Sequence, residues 1–268
     1  MIRVELRLLL LRRRTWVSVL MLAALPVIVA IFLKISGTGS KPIGPAFLAE
    51  VVRNGTWFPV AALALVLPLF LPVAVLLLAG DAIAGEASAG TLRYLVIRPV
   101  GRGRLLAAKM ISIIAFLLIA VSAVTSTAFT VGWALFGLAP IQPLSGGGPP
   151  FSLPDAAIRI GLSALFVAAS MFGIAGCGLF LSTITSTPLA ATLGALGILV
   201  TAGVLDQIPS AEVIQPYLPT HYWMAFVDLF RAPVPWSSIQ HGLMLEGGYG
   251  ITMLVLARIV FATRDITS

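Results

Sequence analysis

Six long apolar runs limit what this chain can fold into: Trp16–Leu33, Trp57–Gly80, Met110–Phe136, Ile160–Leu181, Leu189–Leu205 and Leu243–Phe261. A run of about 20 apolar residues matches the hydrocarbon thickness of a bilayer, and in lipid a helix satisfies its own backbone. Only 10% of the 268 residues are charged, against about 25% in a soluble domain, which leaves too few polar groups to cover a water-facing surface. The expectation is an all-α membrane protein with six transmembrane helices, built as a single domain over residues 1–268.

Charge placement orients these spans. The chain carries 17 Lys and Arg and a net charge of +7. They cluster in loops beside apolar runs, a pattern that suits anionic headgroups and membrane lipids rather than nucleic acid. Residues 1–14, the segment between the second and third runs, and the end of the sixth run hold most of them; Lys34, Lys41, Arg53, Arg159 and Arg231 lie on the other side. The positive-inside rule then puts both termini in the cytoplasm. Residues 1–14 place Arg3, Arg7 and Arg14 on one helical stripe among leucines, as in a helix lying in the headgroup region; a positive-inside flank continuous with the first span is the alternative.

The spans carry local signals of their own. Pro59, Pro68 and Pro72 fall inside the second run and predict a bent helix packed against protein. Ser122, Thr125, Ser126, Thr127 and Thr130 in the third are expected to bond back to their own helix or across to a neighbour, with a polar path along them as the alternative. Ala169, Gly173 and Cys177 recur every four positions in the fourth, as where another helix approaches closely. Glu50–Arg53 reads as a short outer helix. Residues 206–242 have too many prolines and charges to cross lipid, yet are rich in aromatics, which suits short outer helices at the interface.

Candidate chemistry is sparse. The sequence has no HExxH, no Cys/His metal cluster, no nucleophile elbow and no GxxxxGK[ST] loop. A catalytic centre, a metal and a nucleotide bound by this chain are therefore not expected. Asp81 and Glu246 are read as acids at span ends with structural roles, and the single Cys177 as a packing residue.

What remains is the basic stretch from Gly80 to Lys109, expected to be a cytoplasmic loop (residues 81–109) between the second and third spans. Gly80 and Asp81 read as the end of the second span. Thr91 can cap a short helix over Leu92–Ile97, which Pro99 stops. Leu92, Leu95 and Val96 share one face of that helix, while Arg93 and Arg98 project elsewhere. Such a face can dock in a partner's groove or rest on the membrane surface.

The series Asp81-x-Ile83-Ala84-x-Glu86-x3-Gly90-Thr91-Leu92, followed by Arg98-Pro99-Val100-x-Arg102 and Lys109, resembles the signature of ABC type-2 permeases. These are the membrane subunits of bacterial ATP-driven exporters. The aromatic segment around Pro219, His221, Tyr222 and Trp223, and the ending Arg264-Asp265-Ile266, are similar to that family as well. The resemblance implies that the loop helix is a coupling helix docked on a separate ABC ATPase, which binds ATP and Mg. It also implies a second permease copy, identical or different, and a place in the bacterial plasma membrane. Asp81, Glu86, Gly90, Thr91, Leu92, Arg93, Leu95, Val96, Arg98 and Pro99 are then the docking residues, and Pro219, His221, Tyr222 and Trp223 candidates for an outer gate or interface. Two positions depart from the pattern: Ser88 stands where the family has a second acid, and Gly101 where it has serine.

The leading expectation is thus a permease exporting a hydrophobic or amphipathic substrate such as a drug, peptide or lipid. A secondary transporter or channel working without ATP is the alternative. A membrane-embedded lipid enzyme using His221, Asp228 and His241 ranks last.

Overall fold

A computed structural model describes residues 2–36, 54–90 and 101–263. Among these residues the structure is helical, with one isolated bridge, Ile141 to Phe151, and no strand. Six helical segments are long and apolar enough to cross a membrane: Arg13–Ile35, Phe70–Ser88, Arg102–Phe136, Leu153–Ile184, Pro188–Asp206 and Trp236–Thr263.

The chain opens with α1 (Ile2–Leu11), which turns at Arg12 into α2 (Arg13–Ser36). The turn corrects the stripe expected over residues 1–14, because Arg14 belongs to the second helix. On α1 the arginines Arg3 and Arg7 face outward, whereas Leu9 is buried and Glu5 half-buried on the opposite side. The spacing of Glu5 and Leu9 puts both on the face that meets the protein. Helix α2 passes through Pro26 without a break and ends where Lys34 Nζ donates to the Leu135 carbonyl at 2.9 Å.

The second span divides at its prolines. A 3₁₀ turn at Gly55–Trp57 leads into α3 (Phe58–Val66); after three linking residues α4 runs over Phe70–Ser88. Pro59 and Pro72 sit in first turns, where no amide donor is needed, and Pro68 occupies the break, where it would have removed a ladder bond. Val60, Ala61, Ala62, Leu63, Val66 and Leu67 are buried, as expected for a bent helix covered by its neighbours.

At the start of this span Gly55 meets the end of α5 (Arg102–Phe136), and its amide donates to the Gly137 carbonyl at 3.1 Å. A Cβ on Gly55 would overlap the Gly132 carbonyl oxygen and come within 2.5 Å of that of Gly137, backbone atoms that cannot rotate away. Gly55→Ala is therefore expected to destabilise the protein by about 1–3 kcal/mol or more, read as a lowered unfolding midpoint in detergent.

Two boundaries differ from the sequence reading. Gly80 and Asp81 do not end the helix of the second span: α4 continues for two further turns, because Ala82, Ile83 and Ala84 are buried against the bundle. Nor does the helix of the third span start at Met110, since α5 begins at Arg102 and runs 35 residues, about 50 Å. That exceeds the roughly 30 Å of a hydrocarbon core, so one end of α5 projects beyond it. The loop expected over 81–109 is helical at both ends, leaving residues 89–101 as the link. The helix expected over Leu92–Ile97, with Thr91, Leu92, Arg93, Leu95, Val96, Arg98 and Pro99, lies outside the described residues. So do the helix expected at Glu50–Arg53, and Arg264-Asp265-Ile266.

The fourth span is interrupted at Met171, giving α6 (Leu153–Ser170) and α7 (Phe172–Ile184). Ser152 caps α6 by accepting from the Asp155 amide. The fifth span is α8 (Pro188–Asp206), capped by Thr187. The short outer helices are 3₁₀ helices at Pro209–Ala211, Gln215–Tyr217 and Trp223–Phe230. The last span, α9 (Trp236–Thr263), packs on α7 through small residues: a Cβ on Gly176 would meet the Gly250 backbone at 3.1 Å. The close approaches thus fall at Gly173 and Gly176 toward α9 and at Gly178 toward Ala79 of α4, while Cys177 is half-buried.

Candidate functional site

The ends of α1, α4, α5, α7 and α9 converge at one pole of the bundle, around the two arms of the 89–101 link. At its centre is Lys109, which is 5% exposed. A lone ammonium so placed would be costly. Its Nζ lies 3.0 Å from Glu5 Oε1 of α1 and is also bonded to Glu86 Oε1 of α4. One cation thereby joins the N-terminal helix to both arms of the link. A second pair repeats the connection, with Arg12 Nη1 3.5 Å from Asp81 Oδ2.

The other arm is tied to the last span. Arg102 Nη1 donates to the carbonyls of Phe261 and Ala262 at 2.7 and 2.8 Å. Both carbonyls belong to α9, so one guanidinium fixes the start of α5 to the backbone of the last span.

Ser182 of α7 bonds to the backbone of α4. Its hydroxyl donates to the Gly80 carbonyl at 2.7 Å and accepts from the amides of Ile83 and Ala84 at 3.0 and 2.9 Å. The Gly80 carbonyl and the Ala84 amide are i, i+4 partners on the α4 ladder, so one hydroxyl ties α7 to a single turn of α4 at the first residues of the motif. Gly80 itself admits Thr192 of α8, whose amide would lie 3.1 Å from a Cβ there. Helix α4 stops at Gly90, whose φ of +67° is the left-handed conformation that ends many helices. Ser88, at the departure from the family pattern, is exposed and donates to the Gly85 carbonyl at 3.0 Å.

Of the expected docking residues, then, Asp81, Glu86 and Gly90 are described; the first two are bound into the protein's own pole. Three contributors were not singled out from sequence: Glu5, Arg12 and Ser182. Glu5 did leave a signal, as the one acid in a basic, leucine-rich segment.

At the opposite pole the aromatic segment ties α7, α8 and α9 together. His221 Nδ1 lies 2.7 Å from Asp206 Oδ1 at the end of α8. The Trp223 indole donates to Glu246 Oε1 at 2.8 Å. Glu246 Oε2 accepts from the Gly173 amide at 3.1 Å, capping the start of α7 just after the break at Met171. Glu246 is 2% exposed. It is a buried carboxylate at a helix interruption rather than an acid at a span's edge. Tyr222 stacks edge-on against His221, and Pro219 is half-buried in the preceding turn. His221, Asp228 and His241 do not form one cluster: Asp228 pairs with Arg231 at 3.0 Å, while His241 faces the Tyr222 ring.

An open groove of about 730 Å³ runs between α5 and α6 and exposes chiefly apolar side chains. Hydroxyls along the α5 wall bond back to their own helix, Thr125 to Val121 and Ser126 to Ser122 at 2.8 and 2.7 Å. Among the described residues no group of three or more His, Cys, Asp or Glu is placed to hold a metal ion.

No curated protein matches the chain significantly in sequence. The model of a family described as ABC-2 family transporter protein matches residues 1–242. With six candidate spans and the motif at one pole of the bundle, the chain belongs to the ABC-2 transporter family and is a transmembrane component of an ATP-binding-cassette transporter.

Proposed function

We propose that the chain is the permease subunit of an exporter whose motor is a separate ABC ATPase docking on the link between α4 and α5. The observation that carries this reading is the clamping of both arms of the link. Lys109 joins them to each other and to α1, Arg102 holds α9, and Ser182 ties α7 to α4. A push on the link is therefore delivered to several spans at once, through charged and buried contacts rather than through a free loop.

In this reading ATP and Mg bind to the partner, and a second permease copy completes the unit. The link faces the cytoplasm of a bacterial cell, as the excess of basic residues at that pole favours. The apolar 730 Å³ groove and the few buried charges favour a hydrophobic or amphipathic cargo, such as a drug, peptide or lipid. The outer segment, latched through His221 and Trp223, is suited to hold the far pole closed between strokes.

Co-purification with an ABC ATPase, sought in a neighbouring reading frame, tests the proposal. Replacing Leu92 and Leu95 by Asp is expected to weaken the association at least about tenfold, because a charge cannot enter an apolar groove without a partner. It should abolish cargo movement while leaving the elution profile of the permease unchanged. Transport that persists in this variant, or after ATP depletion, refutes the coupling.

A further inference from the structure

A second groove, of about 570 Å³, opens between the start of α2, the middle of α4 and the start of α8. Its walls are chiefly apolar, with Val17, Leu77, Leu78 and Leu189 among them, and Arg12, Arg13 and Arg14 also line it. The only acid on its lining is Asp81, which Arg12 already engages. Arg13 and Arg14 are exposed, and among the described residues no acid pairs with either. They also begin a 24-residue helix, whose N-terminal end favours an anion.

We propose that this groove is a binding site for one anionic phospholipid, with its phosphate on Arg13 and Arg14 and an acyl chain against Leu77, Leu78 and Val17. Charge and shape both select this occupant. Two surplus guanidinium groups match a phosphate, and an apolar trough continuous with the bilayer takes a hydrocarbon chain but not a free inorganic ion. Ala74 lies in the trough, where a large side chain would fill the space meant for the chain. The site rests on the membrane placement of the helices and not on coupling to an ATPase.

The test is lipid binding to the purified protein in detergent, followed by native mass spectrometry. Phosphatidylglycerol, phosphatidylcholine and inorganic phosphate are titrated separately. The unaltered protein is expected to take up one phosphatidylglycerol in preference to phosphatidylcholine. Arg13→Gln/Arg14→Gln should weaken phosphatidylglycerol binding about 30-fold, following the contribution of each basic residue near an anionic surface. Arg13→Lys/Arg14→Lys should keep most of the binding. Ala74→Phe should weaken phosphatidylglycerol without affecting inorganic phosphate. Equal binding of the two lipids by the unaltered protein overturns the proposal without recourse to any variant. So does inorganic phosphate binding as tightly as phosphatidylglycerol, with Ala74→Phe having no effect on either; that result marks a free-anion site.

Discussion

Replacing Lys109 by methionine is expected to destabilise the protein by about 3–5 kcal/mol, the usual result of removing one partner of a buried ion pair. Methionine preserves length and apolar stem, so the loss reports the charge rather than the packing. The side chains of Glu5 and Glu86 are only 12% and 16% exposed, and without the ammonium two carboxylates would face each other in a poorly solvated place. Total stabilities of folded domains are about 5–15 kcal/mol, so the fall should be evident as a lower unfolding midpoint in detergent. Trypsin should also cut faster after Arg7 and Arg12, as α1 loses its attachment. The triple variant Glu5→Gln/Lys109→Met/Glu86→Gln should recover part of the loss, since the two carboxylates no longer face each other without the ammonium. If Lys109→Met unfolds and is cleaved like the unaltered protein, the cluster does not hold α1 to the link.

Glu246→Leu is the second large effect. The substitution leaves the Trp223 indole N–H and the Gly173 amide without their acceptors in a site that is 2% exposed at present. An unsatisfied buried donor costs about 1–3 kcal/mol, so about 2–6 kcal/mol is expected for the two. Glu246→Gln keeps an oxygen that can serve one donor and should fall between the two proteins. The measurement is again the unfolding midpoint, joined to the tryptophan emission, which should shift to the red as the Trp223 segment loosens. A Glu246→Leu protein as stable as its parent would show that the carboxylate does not cap α7, and that Gly173 finds its acceptor elsewhere.

The two sites were not equally legible in the sequence. The spans were readable because burial in lipid demands continuous apolar runs, and proline positions inside them gave away the bend between α3 and α4. The motif from Asp81 to Lys109 was readable as a motif. Its secondary structure was not: Gly80, Asp81 and the charged residues that follow read as the end of a helix. The helix nonetheless continues, because neighbours bury its alanines and Arg12 and Lys109 neutralise its acids. Glu246 misled in the same manner. In sequence it is an acid toward the end of an apolar run, and only the arrival of Trp223 and the broken fourth span makes it a cap.

By itself the sequence determined that the chain is a six-span helical membrane protein, which pole is basic, and which stretch carries the family pattern. Those properties follow from local composition, since lipid tests each segment for apolarity and backbone satisfaction one segment at a time. Tertiary structure alone decided what Lys109, Arg102, Ser182 and Glu246 do. Their partners lie 23 to 160 residues away along the chain, and no periodicity encodes which distant carboxylate or carbonyl a buried polar group will meet. Helix packing brings them together, and the cost of leaving such groups unpaired in a low-dielectric bundle holds them there.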